Sequence, residues 1–403
     1  MKPDLEQIQL AQKRFKGIIP SSPLMRSPYL SQRLGSEIFL KLENLQETGS
    51  FKVRGAYNRL FQLGPEEKER GVIAASAGNH AQGVAWSANK LGIGATIVMP
   101  EEVSIKKLMA VKEYGTGIIL HGANYDEAYA HALELSRETG RMLIPAFDDP
   151  HVMAGQGTIG LEISSLLEKD TAIVVPVGGG GLISGIAIAA KSLCPDVRII
   201  GVQANCCPSA IQSLDEDRPV TVQVMPTLAD GIAVKTPGDL TFPLLQRYVN
   251  EMVGVDEEGI AGAIMNLIER VNIVVEGAGA SPLAALMDVK VSTKAKRYVL
   301  VISGGNIETS MIDRILQKGS VKMGRLIRIE VNLLDVPGSL WSLLGIIAEE
   351  RANILHILHD RLALDNPIGV SRVKLNLETR GHEHAKEILD KLSQEGYKVR
   401  RIL

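Results

Sequence analysis

Residues 171–190 form a run of 20 residues without a charged side chain, and few structures accommodate such a run. One is a helix long enough to cross a bilayer. The run, however, holds five glycines and Pro176, with four of the glycines bunched at Gly178, Gly179, Gly180 and Gly181. That grouping predicts a buried strand over 172–177, a glycine loop, and a helix from about Leu182. Short apolar runs of the same kind recur at 72–75, 95–98, 117–120, 198–202 and 298–302, separated by helical periodicity at 81–90, 104–114 and 126–139. Hydrophobicity that is continuous along a strand, not alternating, marks a strand covered on both faces, as in a parallel sheet with crossover helices. To about residue 320 the chain therefore reads as α/β, with no membrane span.

The pattern changes after Lys318. Ile327, Ile329, Val331 and Leu333 alternate with Arg328, Glu330 and Asn332, so one face of that strand is wet. Leu340, Leu343, Leu344 and Ile347 then take helical spacing, as do Ala385, Ile388, Leu389 and Leu392. With strands at 354–358, 370–377 and 399–403 the order is βαββαβ, an antiparallel sheet with helices on one face. The expected organisation is a catalytic unit over 1–318 with a smaller lobe at about 50–145, a linker at 319–325, and an α+β domain over 326–403.

Composition narrows the function. A net charge of −2 over 403 residues gives no electrostatic basis for nucleic acid or an anionic membrane as partner. Three cysteines, two of them adjacent at Cys206 and Cys207, form no even disulfide framework and no CxxC zinc spacing, so no metal is expected. The first 15 residues are amphipathic with early acids, unlike a signal peptide, which points to the cytosol.

Three glycine-containing turns follow predicted strands. Ser76-Ala77-Gly78-Asn79-His80 opens a helix, whose free N–H groups and dipole favour a carboxylate or phosphate, although a Ser76 N-cap with no ligand reads equally well. Gly178 to Leu182 can curl its N–H groups around one anion. Neither the dinucleotide fingerprint G-x-G-x-x-G nor a Gly-Lys-Ser/Thr P-loop is present there, so the phosphate is not a nucleotide bound in those ways. Ser303-Gly304-Gly305-Asn306 ends the run at 298–302, where α/β sheets place ligands, and a plain tight turn is the alternative.

Lys52 lies in Gly49-Ser-Phe-Lys52-Val-Arg-Gly-Ala56. This segment and the three turns, in this order over about residues 20–315, resemble the fold-type II pyridoxal-phosphate enzymes, in their serine/threonine dehydratase branch. The resemblance implies two open, twisted, mainly parallel α/β lobes. It also implies that Lys52 holds pyridoxal 5′-phosphate as a Schiff base, that Phe51 packs on the ring, and that Asn79 meets the 3′-oxygen. Gly178, Gly179, Gly180, Gly181 and Leu182 would bind the phosphate and Ser303 the pyridine nitrogen. The substrate carboxylate would sit on Ser76, Ala77, Gly78, Asn79 and His80, with Phe147 as a wall. The implied reaction is β-elimination, in which Lys52 removes the α-proton of L-threonine and the products are 2-oxobutanoate and ammonia. A hydroxyl at Ser303 cannot keep the pyridine nitrogen protonated as a carboxylate would, which favours prompt loss of a β-leaving group. Racemase relatives carry a serine where this chain has Ala77, and acidic cation ligands where it has Gln203 to Cys207. An L-serine-preferring dehydratase or serine racemase is the alternative enzyme, and a non-catalytic amino-acid sensor the alternative outside enzymes.

The C-terminal βαββαβ order, with Asp335-Val-Pro-Gly338 in its first turn, resembles an ACT domain. That resemblance implies an amino-acid effector such as L-isoleucine near Asp335, Gly338 and Asn353, and a homodimer or homotetramer. A domain used for dimerisation alone is the alternative.

Overall fold

In the computed structural model, which describes residues 3–362 and 364–402, the chain divides into two units, one to Glu308 and one from Thr309. The first unit contains two sheets. The larger has the order β1-β2-β10-β7-β8-β9, from Leu24–Arg26 (β1), Glu37–Leu42 (β2), Thr171–Pro176 (β7), Arg198–Ala204 (β8), Glu251–Val255 (β9) and Arg297–Ile302 (β10). All its pairings are parallel except β1 with β2. The smaller, all parallel, has the order β5-β4-β3-β6, from Val72–Ala75 (β3), Ala95–Met99 (β4), Gly117–Leu120 (β5) and Met142–Leu143 (β6).

Burial explains the uncharged run. All six residues of β7 are buried. Ile173 and Val175 pack with Ile183 and Ile186 of the helix Gly181–Leu193, and Ala172 and Val174 on the opposite face are equally dry. Each such side chain contributes about 1.5–3 kcal/mol on burial, which a strand gains on both faces only when sandwiched. Gly117–Leu120 departs from the expected buried strand: as an edge of the smaller sheet it is half exposed.

Two helices place the Lys52 segment. Lys52–Phe61 packs on Pro150–Glu162 so closely that a Cβ at Gly155 would lie 2.5 Å from the Arg54 carbonyl oxygen. On its other side the helix Asn79–Leu91 approaches through Gly83, whose Cβ would meet the Lys52 carbonyl carbon at 3.0 Å.

The second unit opens with the helix Thr309–Lys322, which runs into the residues expected as linker. Its sheet, order β12-β13-β11-β14, is antiparallel and built from Leu326–Leu334 (β11), Asn353–Asp360 (β12), Val370–Glu378 (β13) and Val399–Arg401 (β14). Leu343, Ile347, Ala385, Ile388 and Leu392 of the helices Ser339–Glu349 and His382–Gln394 cover one face, which gives the ACT-like α+β arrangement.

Candidate active site

The site lies where the strand ends of the two sheets of the first unit meet. The loop before Lys52 is stitched to the turn after β10: Ser50 bridges Gly304, and the Phe51 N–H donates to the Ser303 carbonyl oxygen at 3.0 Å. Lys52 thus begins its helix beside the buried Ser303. Its Nζ donates to the Ala146 carbonyl oxygen at 2.8 Å and lies 5.3 Å from the centre of the Phe51 ring. Desolvation lowers the Lys52 pKa to about 8, against an opposing pull from Glu276, so the amine is partly neutral near neutral pH.

Ser76 does not cap the helix that follows it. Its Oγ accepts from Gly78 N at 3.2 Å, and Gly78 takes the N-cap position with no side-chain acceptor. A Cβ at Gly78 would meet nothing within 4 Å, so the helix start faces open space. This leaves N–H groups available to an anion. His80 contributes its main chain only: its buried ring donates from Nε2 to the Ile144 carbonyl oxygen at 2.8 Å, since that oxygen can only accept. Desolvation, then the Lys52 charge, pushes the His80 pKa down to about 3.

The glycine loop leaves β7 and starts the next helix with Gly180 at φ +95°, left-handed backbone that favours glycine. A Cβ at Gly179 would run into the Phe147 ring, and one at Gly181 would lie 2.8 Å from the Phe147 carbonyl oxygen. Thr241 Oγ1 donates to the Gly179 carbonyl oxygen at 2.6 Å, and Asp148 Oδ1 accepts from the main chain of Leu240 and Thr241 at 3.0 and 3.2 Å. One turn into the helix, the buried Ser184 Oγ has no hydrogen-bond partner among the described residues.

Lys52, Phe51, Ser303, Asn79, Phe147 and the glycine loop therefore come together. Sequence reasoning passed over Glu276, which accepts from Asn79 Nδ2 at 2.8 Å, and the roles of Asn306, Thr241 and Asp148. Asn306 stood inside the quoted turn after 298–302 and Asp148 is next to Phe147, whereas Glu276 gives no local signal beyond opening a helix. Gln203 caps a helix by accepting from Ala210 N and Ile211 N at 2.9 and 3.0 Å. Among the described residues no group of three or more His, Cys, Asp or Glu is arranged to hold a metal, and no helix is long and apolar enough to cross a membrane.

The effector candidates do not converge within one chain. Asp335 follows β11 and pairs with Arg361 Nε at 2.9 Å, and Gly338, at φ +95°, starts the helix Ser339–Glu349. Asn353 starts β12 opposite Glu378, which itself pairs with Leu326 at the other end of β11.

The donor set fits pyridoxal phosphate. An uncapped helix start and small-residue loop suit a phosphate, and the buried Lys52 amine suits an aldehyde. A family model described as pyridoxal-phosphate dependent enzyme matches residues 16–304. The chain is 52% identical over 396 residues to the L-threonine ammonia-lyase of Thermotoga maritima, covering 98% of each. Threonine deaminase isoform 2 from Solanum lycopersicum superposes with a TM-score of 0.74 at 38% identity, over 79% of this chain and 91% of that one. Maize serine racemase superposes with a TM-score of 0.74 at 34% identity, over 80% and 99%. With these residues at these positions, the chain belongs to the family of pyridoxal-phosphate dependent enzymes.

Proposed function

We propose that the chain is an L-threonine ammonia-lyase that converts L-threonine into 2-oxobutanoate and ammonia. The carrying observation is the buried Lys52 amine, which donates to the Ala146 carbonyl oxygen at 2.8 Å and follows Phe51, whose N–H is bonded to the Ser303 carbonyl oxygen at 3.0 Å. When bound, pyridoxal phosphate supplies an electron sink for charge developing at the substrate α-carbon. Lys52 would hold the cofactor, and its amine would serve as the general base for the α-proton. The uncapped N–H groups at Asn79 and His80 orient the substrate carboxylate, and the glycine loop grips the phosphate. Ser303 would meet the ring nitrogen. Ala77 offers no proton on the opposite face, which supports elimination over racemisation despite the likeness to a serine racemase.

The test is 2-oxo-acid release from L-threonine and L-serine by the purified chain, together with the visible absorption of bound cofactor. Faster release from L-threonine is expected, and full turnover by Lys52→Ala would overturn the reading. A colourless chain that binds amino acids without turnover would return it to a sensor. The ACT-like second unit supports an amino-acid effector, and 2-oxobutanoate as the product, the compound from which isoleucine formation begins, supports L-isoleucine in that role. Exposed Trp341, Leu355 and Leu358 on the second unit support a homodimer or homotetramer, to be read by light scattering. Three free cysteines support the cytosol.

A further inference from the structure

The side-chain amide of Asn79 is held from two sides. Asn306 Nδ2 gives one hydrogen to the Thr48 carbonyl oxygen at 2.9 Å and the other to Asn79 Oδ1 at 2.7 Å. A carbonyl oxygen can only accept, so Thr48 fixes which end of the Asn306 amide is nitrogen, and Asn306 then fixes Asn79 Oδ1 as an acceptor. From the other side Glu276 Oε1 accepts from Asn79 Nδ2 at 2.8 Å. Both anchors therefore impose the same amide orientation, and one hydrogen on Asn79 Nδ2 is left over.

Glu276 is 5% exposed and stands at the start of the helix Gly277–Met287. A Cβ at Gly304 would lie 2.8 Å from Glu276 Cδ and 3.2 Å from Asn79 Nδ2, so the glycine beside Ser303 is what lets the two meet. Burial pushes the Glu276 pKa up to about 7 against the hydrogen bond from Asn79, so near neutral pH it meets Asn79 through an acceptor oxygen with only part of a full charge.

We propose that Glu276 and Asn306 are positioning residues that hold Asn79 as a hydrogen-bond donor, with its remaining N–H presented to the ring oxygen of the bound cofactor. This rests on the reading that Asn79 faces that oxygen. Glu276 acts through its acceptor oxygen, so an amide in its place can substitute.

The test compares the holoenzyme with Glu276→Leu, Glu276→Gln, Asn306→Ala and Asn79→Ala. The readouts are the ratio of the long- to the short-wavelength absorption band of bound cofactor and the cofactor dissociation constant. A donor at the ring oxygen favours its ionised form, so Glu276→Leu should lower the band ratio about two- to tenfold, in the direction of Asn79→Ala. Glu276→Gln should restore most of it. Should the leucine variant not fold, Asn306→Ala, which removes no buried charge, must shift the ratio the same way. A shift in Asn79→Ala with none in Glu276→Leu or Asn306→Ala would overturn the positioning role alone. Glu276→Gln as impaired as Glu276→Leu would also overturn it, by assigning the effect to charge. An unchanged spectrum in Asn79→Ala would overturn the placement of Asn79, and the proposal with it.

Discussion

Arg54 and Glu43 form a two-pronged ion pair, Nε to Oε2 at 2.8 Å and Nη2 to Oε1 at 2.9 Å, with neither side chain reaching solvent. Glu162 and Thr158 take the remaining Arg54 donors, and Lys41 and Ser22 complete the set. Arg54 lies two residues past Lys52, so this buried network anchors the helix that carries the reactive amine. Replacing Arg54 by Met leaves the buried Glu43 carboxylate with the Ser22 hydroxyl alone and Glu162 with Lys41 alone, and should cost about 3–5 kcal/mol in denaturant unfolding. Burial alone would raise the Glu162 pKa, but Arg54 and Lys41 hold it below its ordinary value. Its share of the stability is therefore present above the usual carboxylate range and is lost as pH falls through the lowered value. A midpoint unchanged by Arg54→Met would show that the network contributes nothing.

Lys52 carries the opposite linkage. Its folded pKa of about 8 is below the ordinary 10.5, so the unfolded chain binds more protons between these values and stability rises with pH across that window. Below pH 8 the buried amine costs the apo protein about 3 kcal/mol. Lys52→Met should therefore stabilise the cofactor-free protein at pH 7, with the gain shrinking toward pH 10. Parallel urea titrations at the two pH values check this. A constant gain would assign the effect to packing instead of charge.

Glycines in and out of the loop should behave oppositely. Gly181→Ala has a helical backbone but places its Cβ 2.8 Å from the Phe147 carbonyl oxygen, so the wall or the loop must move. Overpacking of this kind costs about 1–3 kcal/mol, or roughly five- to a hundredfold in cofactor affinity if the loop is what yields. Gly262→Ala, inside the helix Glu257–Asn266 with nothing within 4 Å, should stabilise the protein by up to about 1 kcal/mol. Cofactor titration and thermal unfolding of both variants separate the two effects.

Strands sandwiched between helices were legible because burial on both faces leaves continuous apolar runs, as in β3, β4, β7, β8 and β10. β2 was not, because Lys41 interrupts it with a charge that tertiary structure then buries against Glu162 and the Ser22 carbonyl oxygen. β1 and β6, of three and two residues, are too short to carry a period. At the site, Lys52 and the glycine loop announced themselves through local sequence. Glu276 did not, because its meaning comes from Asn79, 197 residues away along the chain.

Regulation gives the last prediction. The start of the helix Ser339–Glu349 has no side-chain cap, so its N–H groups suit a carboxylate, and Asp335, four residues ahead of the helix, could exchange its exposed Arg361 partner for an ammonium. On the proposal that L-isoleucine is the effector, Asp335→Ala should raise the concentration giving half-inhibition by about tenfold or more, the loss of a hydrogen bond to a charged group. Asn353 sits at the far end of the same sheet, about 25 Å away at the rise of an extended strand. Within one chain it cannot touch the same ligand, and Asn353→Ala should leave half-inhibition where it was. If Asn353→Ala instead matches Asp335→Ala, the effector bridges two chains, because no single second unit brings those residues together. Inhibition untouched by either variant would remove the ligand from this loop altogether.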